Sequence, residues 1–249
     1  MITAVIFDLD GTLLETEELK ALSYARAAIE LRPDDVSEEE VLEAYGDLVG
    51  LSREEVAASL VERFGLEAAA RRRMEEFEVE EPWEALVGVR LQVYEDLLSD
   101  PDLLLKQRYP HNIELLHTLR EEGYRVALAT MSHRYQVTQV LDVLELSDAF
   151  ELVATRDDVQ RGKPNPEIDL LISDELGVPP QDFLVIEDSP AGVGAALAAE
   201  MAVVAVPTEL TRSKFRDSEV LDPRWIFDDL EDLTGVVRRR MEVAEKVSG

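Results

Sequence analysis

The chain has no cysteine, which excludes disulfides, thiolate metal sites and cysteine nucleophiles. Aromatic residues are sparse, at 6% of 249 residues. No apolar run approaches the roughly 20 residues that a helix needs to cross a bilayer. The N-terminus lacks the basic n-region of a signal peptide and enters a strand pattern almost at once. A cytoplasmic protein without a membrane partner is expected. Positive charge is also scarce: 25 Lys and Arg stand against 54 Asp and Glu, a formal net charge of -29. Such a surface repels nucleic acid and anionic membranes, so neither is an expected partner. The acids are spread along the chain, as at Asp34-Asp35, Glu75-Glu76 and Asp228-Asp229, instead of forming one tail. That pattern suits a cell that accumulates salt and predicts a halophilic protein, with an ordinary acidic surface as the alternative. No internal repeat or low-complexity tract is present.

What the chain does have is an alternation of short apolar runs and longer amphipathic stretches, the pattern of a parallel sheet wrapped by helices. Strands are predicted at Ala4–Asp8, Arg125–Thr130, Phe150–Ala154, Phe183–Glu187 and Ala202–Val206, with a weaker one at Trp225–Phe227. Helices ending at Gly123 and Gly177 precede two of them. Between the first strand and Arg125 the rhythm breaks. Thr16–Leu31, Glu38–Val49, Arg53–Phe64 and Ala68–Leu98 have helical periodicity, separated by Arg32-Pro33, Gly50 and Gly65. So long an excursion is not a loop. The expected organisation is an α/β core of residues 1-14 and 109-249, a Rossmann-like parallel sheet flanked by helices, with an all-α domain of residues 15-108 inserted after the first strand. The basic run Arg71-Arg72-Arg73 reads as a solvated helix face.

The strand ends carry the chemistry. The first strand runs into Asp8-Leu9-Asp10-Gly11-Thr12, the second into Thr130-Met131-Ser132, and the fourth into Glu187-Asp188-Ser189-Pro190. In an open parallel sheet, ligands bind outside the carboxyl ends of the strands, so three strands deliver acids and hydroxyls to one edge. Like charges so close repel one another and resist losing water, and a cation should compensate. Asp8, Asp10, Glu187 and Asp188 are hard oxygen donors suited to Mg²⁺. Gly11 allows a tight turn whose amides can face an anion. Thr130 and Ser132 can donate to phosphate oxygens, and Lys163, in a Gly/Pro-punctuated loop, can offset negative charge. Singly, each has a plain structural use: a solvated strand-end acid, a turn hydroxyl, a surface lysine, a helix-dipole partner. Jointly, that account needs four coincidences at one sheet edge.

Asp-Leu-Asp-Gly-Thr at 8–12, Thr130 with Ser132, Gly162-Lys163-Pro164 and Glu187-Asp188 resemble the four signature motifs of the haloacid dehalogenase superfamily. The helical insertion is similar to the α-helical cap of its first subfamily, in the branch of phosphoglycolate-phosphatase-like and β-phosphoglucomutase-like proteins. The resemblance implies a Mg²⁺-dependent phosphatase acting on a small phosphorylated metabolite, usually as a monomer. Asp8 would be the nucleophile, giving an aspartyl-phosphate, and Asp10 the general acid and base. Gly11, Thr130, Met131, Ser132 and Lys163 would bind phosphate. The metal would be held by Asp8, the Asp10 main chain and Asp188, with Glu187 direct or through water, and the cap would close over the site.

Asp10 argues against dehalogenation, since the family's dehalogenases lack this second Asp and the metal. Gly50-Leu51-Ser52-Arg53-Glu54-Glu55 is similar to the mutase branch's substrate-contacting segment, which makes Arg53 a candidate substrate contact. Ser52 serves equally as the N-cap of a helix with acids in its first turn. Glu15 and Lys20 stand where the mutases usually have Asp and His, so phosphatase is favoured over sugar-phosphate mutase. A non-catalytic binding protein of the same fold is the remaining alternative.

Overall fold

The computed structural model describes residues 1–48, 51–216, 218–227 and 232–248. Val49, Gly50 and Asp228-Asp229, used in the sequence readings above, lie outside the described residues. The chain divides into two compact units, one of residues 1–15 with 104–249 and one of residues 16–103.

The first unit is built on a five-stranded, all-parallel sheet: β1 Ala4–Phe7, β2 Arg125–Ala129, β3 Leu152–Ala154, β4 Phe183–Glu187 and β5 Ala202–Ala205, in the spatial order β3-β2-β1-β4-β5. β1 is central, with Ala4 to Phe7 in register with Arg125 to Leu128 on one side and Phe183 to Ile186 on the other. All four of its residues are buried, which is why it reads as an unbroken apolar run. Helices flank the sheet. Glu167–Leu176 packs on β2 and β3, Pro190–Ala198 on β4 and β5, and Pro110–Glu121 on β2. Local chemistry sets their ends. Pro110 and Pro190 occupy the first helical position, where a missing N–H costs nothing. Gly177, at φ 62°, closes Glu167–Leu176 in the left-handed region.

The strands lie where predicted, one or two residues shorter at some ends. The weak Trp225–Phe227 strand does not form. A 3₁₀ turn at Pro223–Trp225 replaces it, followed by one bridge from Ile226 to Ala205. A proline and an Asp222 cap hold the backbone in a turn there.

The second unit is all helical. Its core joins Tyr24, Ala28, Val41, Leu60, Leu66 and Leu86, from the helices Glu17–Leu31, Glu38–Gly46, Arg53–Arg63 and Pro82–Leu98 and from the Gly65-Leu66 turn. Ser37 with Glu40 and Ser52 with Glu55 form capping boxes, satisfying the first amides of two of these helices. The predicted helix Ala68–Leu98 is instead three helices, Glu67–Arg71, Met74–Phe77 and Pro82–Leu98. Glu78, at φ 54°, stops the second, and Pro82 can only begin the third. The basic run is a paired surface: Arg71 bonds Glu67, and Arg73 bonds Glu30 and Glu76. Arg90, 6% exposed, lies 5.3 Å and 4.5 Å from the Tyr24 and Tyr94 ring centres. Those π faces replace part of the hydration it loses on burial. Among the described residues no helix is long and apolar enough to cross a membrane.

Candidate active site

The carboxyl end of β1 breaks directly into the acidic turn. The Asp8 amide still donates to Ile186 O at 3.0 Å, prolonging the sheet by one residue. The amides of Leu13 and Leu14 then turn back to Leu9 O. Gly11, at φ 83°, adopts a backbone conformation that favours glycine, and its neighbour leaves no alternative. A Cβ there would stand 2.4 Å from Asp188 Oδ2. The turn therefore approaches the end of β4 as closely as a main chain can.

Lys163 ties three strand ends together. Its ammonium donates to Asp8 Oδ1 at 2.8 Å, to Glu187 Oε1 at 2.9 Å and to Ala129 O at 3.0 Å. Its three protons are thus all placed, on the ends of β1, β4 and β2. Its side chain is 7% exposed. Burial alone would lower its pKa, but Asp8 and Glu187 outweigh burial and hold it above the ordinary lysine range.

Glu187 is committed on both oxygens. Oε1 takes Lys163, and Oε2 accepts from the amide and hydroxyl of Ser189 at 2.7 Å and 3.0 Å. The Ser189 hydroxyl also accepts from Gly192 N, capping the helix Pro190–Ala198. A Cβ on Gly192 would come 1.7 Å from Glu187 Oε1, so this helix can start against the carboxylate only with glycine at that position.

Asp188, 6% exposed, accepts no hydrogen bond from any described residue. Burial, then the charges of Glu187 and Asp8, push its pKa up to about 9. Asp8 is likewise raised, by burial first, against the pull of Lys163. Oxygens of Asp8, Glu187 and Asp188 lie within 4.8 Å of one another. One ammonium does not balance this cluster, and the buried Asp188 carboxylate has no hydrogen-bond donor among the described residues. A hard divalent cation fits both facts: the donors are all oxygen, and Mg²⁺ is satisfied by one or two carboxylates plus water and phosphate.

Asp10 is placed differently from the other acids. Its Oδ2 accepts from the hydroxyls of Ser132 at 2.6 Å and Thr130 at 3.1 Å, and Thr130 Oγ1 accepts from Ser132 N at 3.1 Å. Its carboxylate is not part of the clustered trio among the described residues. The two hydroxyls expected to face phosphate therefore fix the second aspartate. Met131, half-buried, packs on the sheet core and sits over Gly162, where a Cβ would be 2.9 Å from its sulfur. Arg53 is the first residue of the helix Arg53–Arg63 in the helical unit, exposed, directly after the Ser52 cap.

One buried acid beside the site escaped the motif reading. Asp169, 1% exposed, lies in the first turn of Glu167–Leu176 and feels both Lys163 and Glu187. Its sequence signal was position: it shares the buried helix face with Ile168, Ile172 and Ser173.

Comparison with known proteins finds a family, relatives and a shared fold. The family model for haloacid dehalogenase-like hydrolases matches residues 5–206. A phosphorylated carbohydrates phosphatase of Thermotoga maritima is 32% identical over 79% of this chain and 81% of its own. The pyrophosphatase PpaX of Bacillus cereus is 27% identical over 95% of this chain and 96% of its own. The crystal structure of a β-phosphoglucomutase from Clostridium difficile superposes with a TM-score of 0.66, covering 100% of both chains at 22% identity, and so shares the fold.

Proposed function

The chain belongs to the haloacid dehalogenase-like hydrolase family, and we propose that it hydrolyses a small phosphorylated metabolite through a phosphoryl group carried transiently on Asp8. In the first half-reaction an Asp8 carboxylate oxygen attacks phosphorus and the bond to the leaving alcohol oxygen breaks. Asp10 gives that oxygen its proton. In the second, water attacks the phosphorus of the acyl phosphate, Asp10 takes the proton from water, and inorganic phosphate leaves a restored Asp8 carboxylate. Thr130 and Ser132 support this division of labour, since they hold one oxygen of Asp10 and leave the other to carry the proton. Lys163 orients Asp8 and offsets the charge that gathers on the transferred group.

Mg²⁺ held by Asp8, Asp188 and the Asp10 carbonyl, with Glu187 in support, would neutralise phosphate oxygens and allow the anionic nucleophile to approach an anionic substrate. Met131 offers main chain to the phosphate from the turn after β2, whereas the Gly11 amide donates to Leu14 O at 2.8 Å, so Gly11 shapes the turn and does not itself bind the anion. Substrate selection is assigned to the helical insertion, with Arg53 as its candidate contact to the part of the substrate remote from phosphorus.

The observation that carries this reading is the Lys163 to Asp8 contact of 2.8 Å beside an Asp188 carboxylate that lies within 4.8 Å of Asp8 and Glu187 and has no donor among the described residues. The relatives that are a phosphorylated carbohydrates phosphatase and a pyrophosphatase support the reaction class. A chromogenic aryl phosphate, incubated with wild type with and without Mg²⁺ and with Asp8→Asn, tests it. Mg²⁺-dependent release is expected, falling by at least about a thousandfold in the variant. Equal background release in all three would leave a non-catalytic binding protein.

A further inference from the structure

Asp169 breaks a rule of buried polar groups. Both of its carboxylate oxygens are buried, and neither has a hydrogen-bond partner among the described residues. It caps nothing, since the N-cap of its helix is Pro166 and no side-chain cap bond forms there. It does not hydrogen-bond Lys163, whose protons are already on Asp8, Ala129 and Glu187. Burying a carboxylate without a donor is costly, and an amide or apolar side chain would suit the helix face better. Departures of this kind concentrate at functional sites.

Its neighbours say what the charge can do. Lys163 faces Asp8 and Glu187, and each of these already favours its ionised form. Asp169 adds to that effect after those two, but it is not one of the groups that anchor the ammonium. It lies outside that hydrogen-bonded triangle, yet near enough for Lys163 to stabilise its charge and for Glu187 to oppose it. In a dry site its field is weakly screened and subtracts from the attraction Lys163 offers an arriving anion.

We propose that Asp169 sets how tightly the site holds a phosphate anion, weakening retention of the inorganic phosphate product so that the site clears after turnover. This deepens the phosphatase reading and rests on its placement of phosphate beside Lys163. Asp169 is a positioning residue of an electrostatic kind and touches no reacting atom.

The test is calorimetric titration of the full chain, saturated with Mg²⁺, with inorganic phosphate, well above the pKa of about 6 to which burial pushes Asp169. Competitive inhibition of aryl phosphate hydrolysis by inorganic phosphate is the second readout. Asp169→Asn and Asp169→Leu both remove the charge, with different shapes, and both should bind phosphate about tenfold more tightly. Asp169→Glu, which keeps the charge, should remain close to wild type. Unchanged or weaker phosphate binding in a folded Asn or Leu variant overturns the proposal. So does failure of both to fold, because that would give the carboxylate a structural task. A wild type that neither binds phosphate nor hydrolyses the ester removes the phosphatase reading itself, and this inference with it.

Discussion

Lys163 Nζ and Asp8 Oδ1 are 2.8 Å apart, and each side chain is 7% exposed. They are 155 positions apart in sequence, and the same ammonium also holds Glu187. The pair is therefore the junction at which β1, β2 and β4 share one cation. Replacing Lys163 by Met leaves two buried carboxylates without their partner. Loss of a buried ionic partner costs about 3–5 kcal/mol, so a corresponding fall in the urea midpoint is expected, with loss of turnover. Near-native stability would show that the pair is incidental.

Asp188 yields a prediction about metal that does not depend on turnover. Mg²⁺ at about a hundred times its dissociation constant should stabilise the wild type by about 2.7 kcal/mol, read as a rise in melting temperature. Asp188→Asn removes a carboxylate that burial and like charges disfavour. The metal-free variant should melt higher than the metal-free wild type and gain little from Mg²⁺. An equal Mg²⁺ shift in both proteins would remove Asp188 from the metal site.

Burial raises the pKa of Asp169 from 3.8 to about 6. A raised carboxyl pKa means the fold prefers the neutral form. The penalty is absent below the unfolded value, grows as pH climbs through this interval, and is constant above it. The full difference is about 3 kcal/mol. The stability advantage of Asp169→Asn over wild type should therefore widen between pH 3.8 and about 6 and then level off. A gap independent of pH would contradict the assigned burial of charge.

A net charge of -29 makes the folded chain repel itself. Added KCl screens that repulsion, and the melting temperature should climb as its concentration is raised toward molar. No gain with salt would dispose of the halophilic reading.

Much of the site was legible in the sequence because parallel strands are nearly all apolar. Val5-Ile6-Phe7 ending on Asp8 is an abrupt change, and the same change recurs where Val185-Ile186 meets Glu187. Lys163 was legible as a lone base between glycine and proline. The partners of these groups were not legible. Which acceptor a hydroxyl chooses depends on the gap between strand ends, so the bonds of Thr130 and Ser132 to Asp10 needed the fold. Ser189 caps the helix Pro190–Ala198, and its bonds back to Glu187 needed the fold. Asp169 was hidden among apolar residues of an amphipathic helix, because periodicity shows a face and not what lies opposite. In the helical unit Pro82 was the signal that a single helix over Ala68–Leu98 could not continue.

Covalent transfer to Asp8 is the central claim, and mass spectrometry reads it most directly. Asp10→Asn should slow hydrolysis of the acyl phosphate more than its formation from a phosphate donor with a good leaving group, such as acetyl phosphate. Acid quench of that variant after incubation with Mg²⁺ and acetyl phosphate should reveal one added phosphoryl group on the peptide bearing Asp8, absent when Asp8 is also Asn. A quenched chain carrying no phosphoryl group, or carrying it on another residue, would contradict the account.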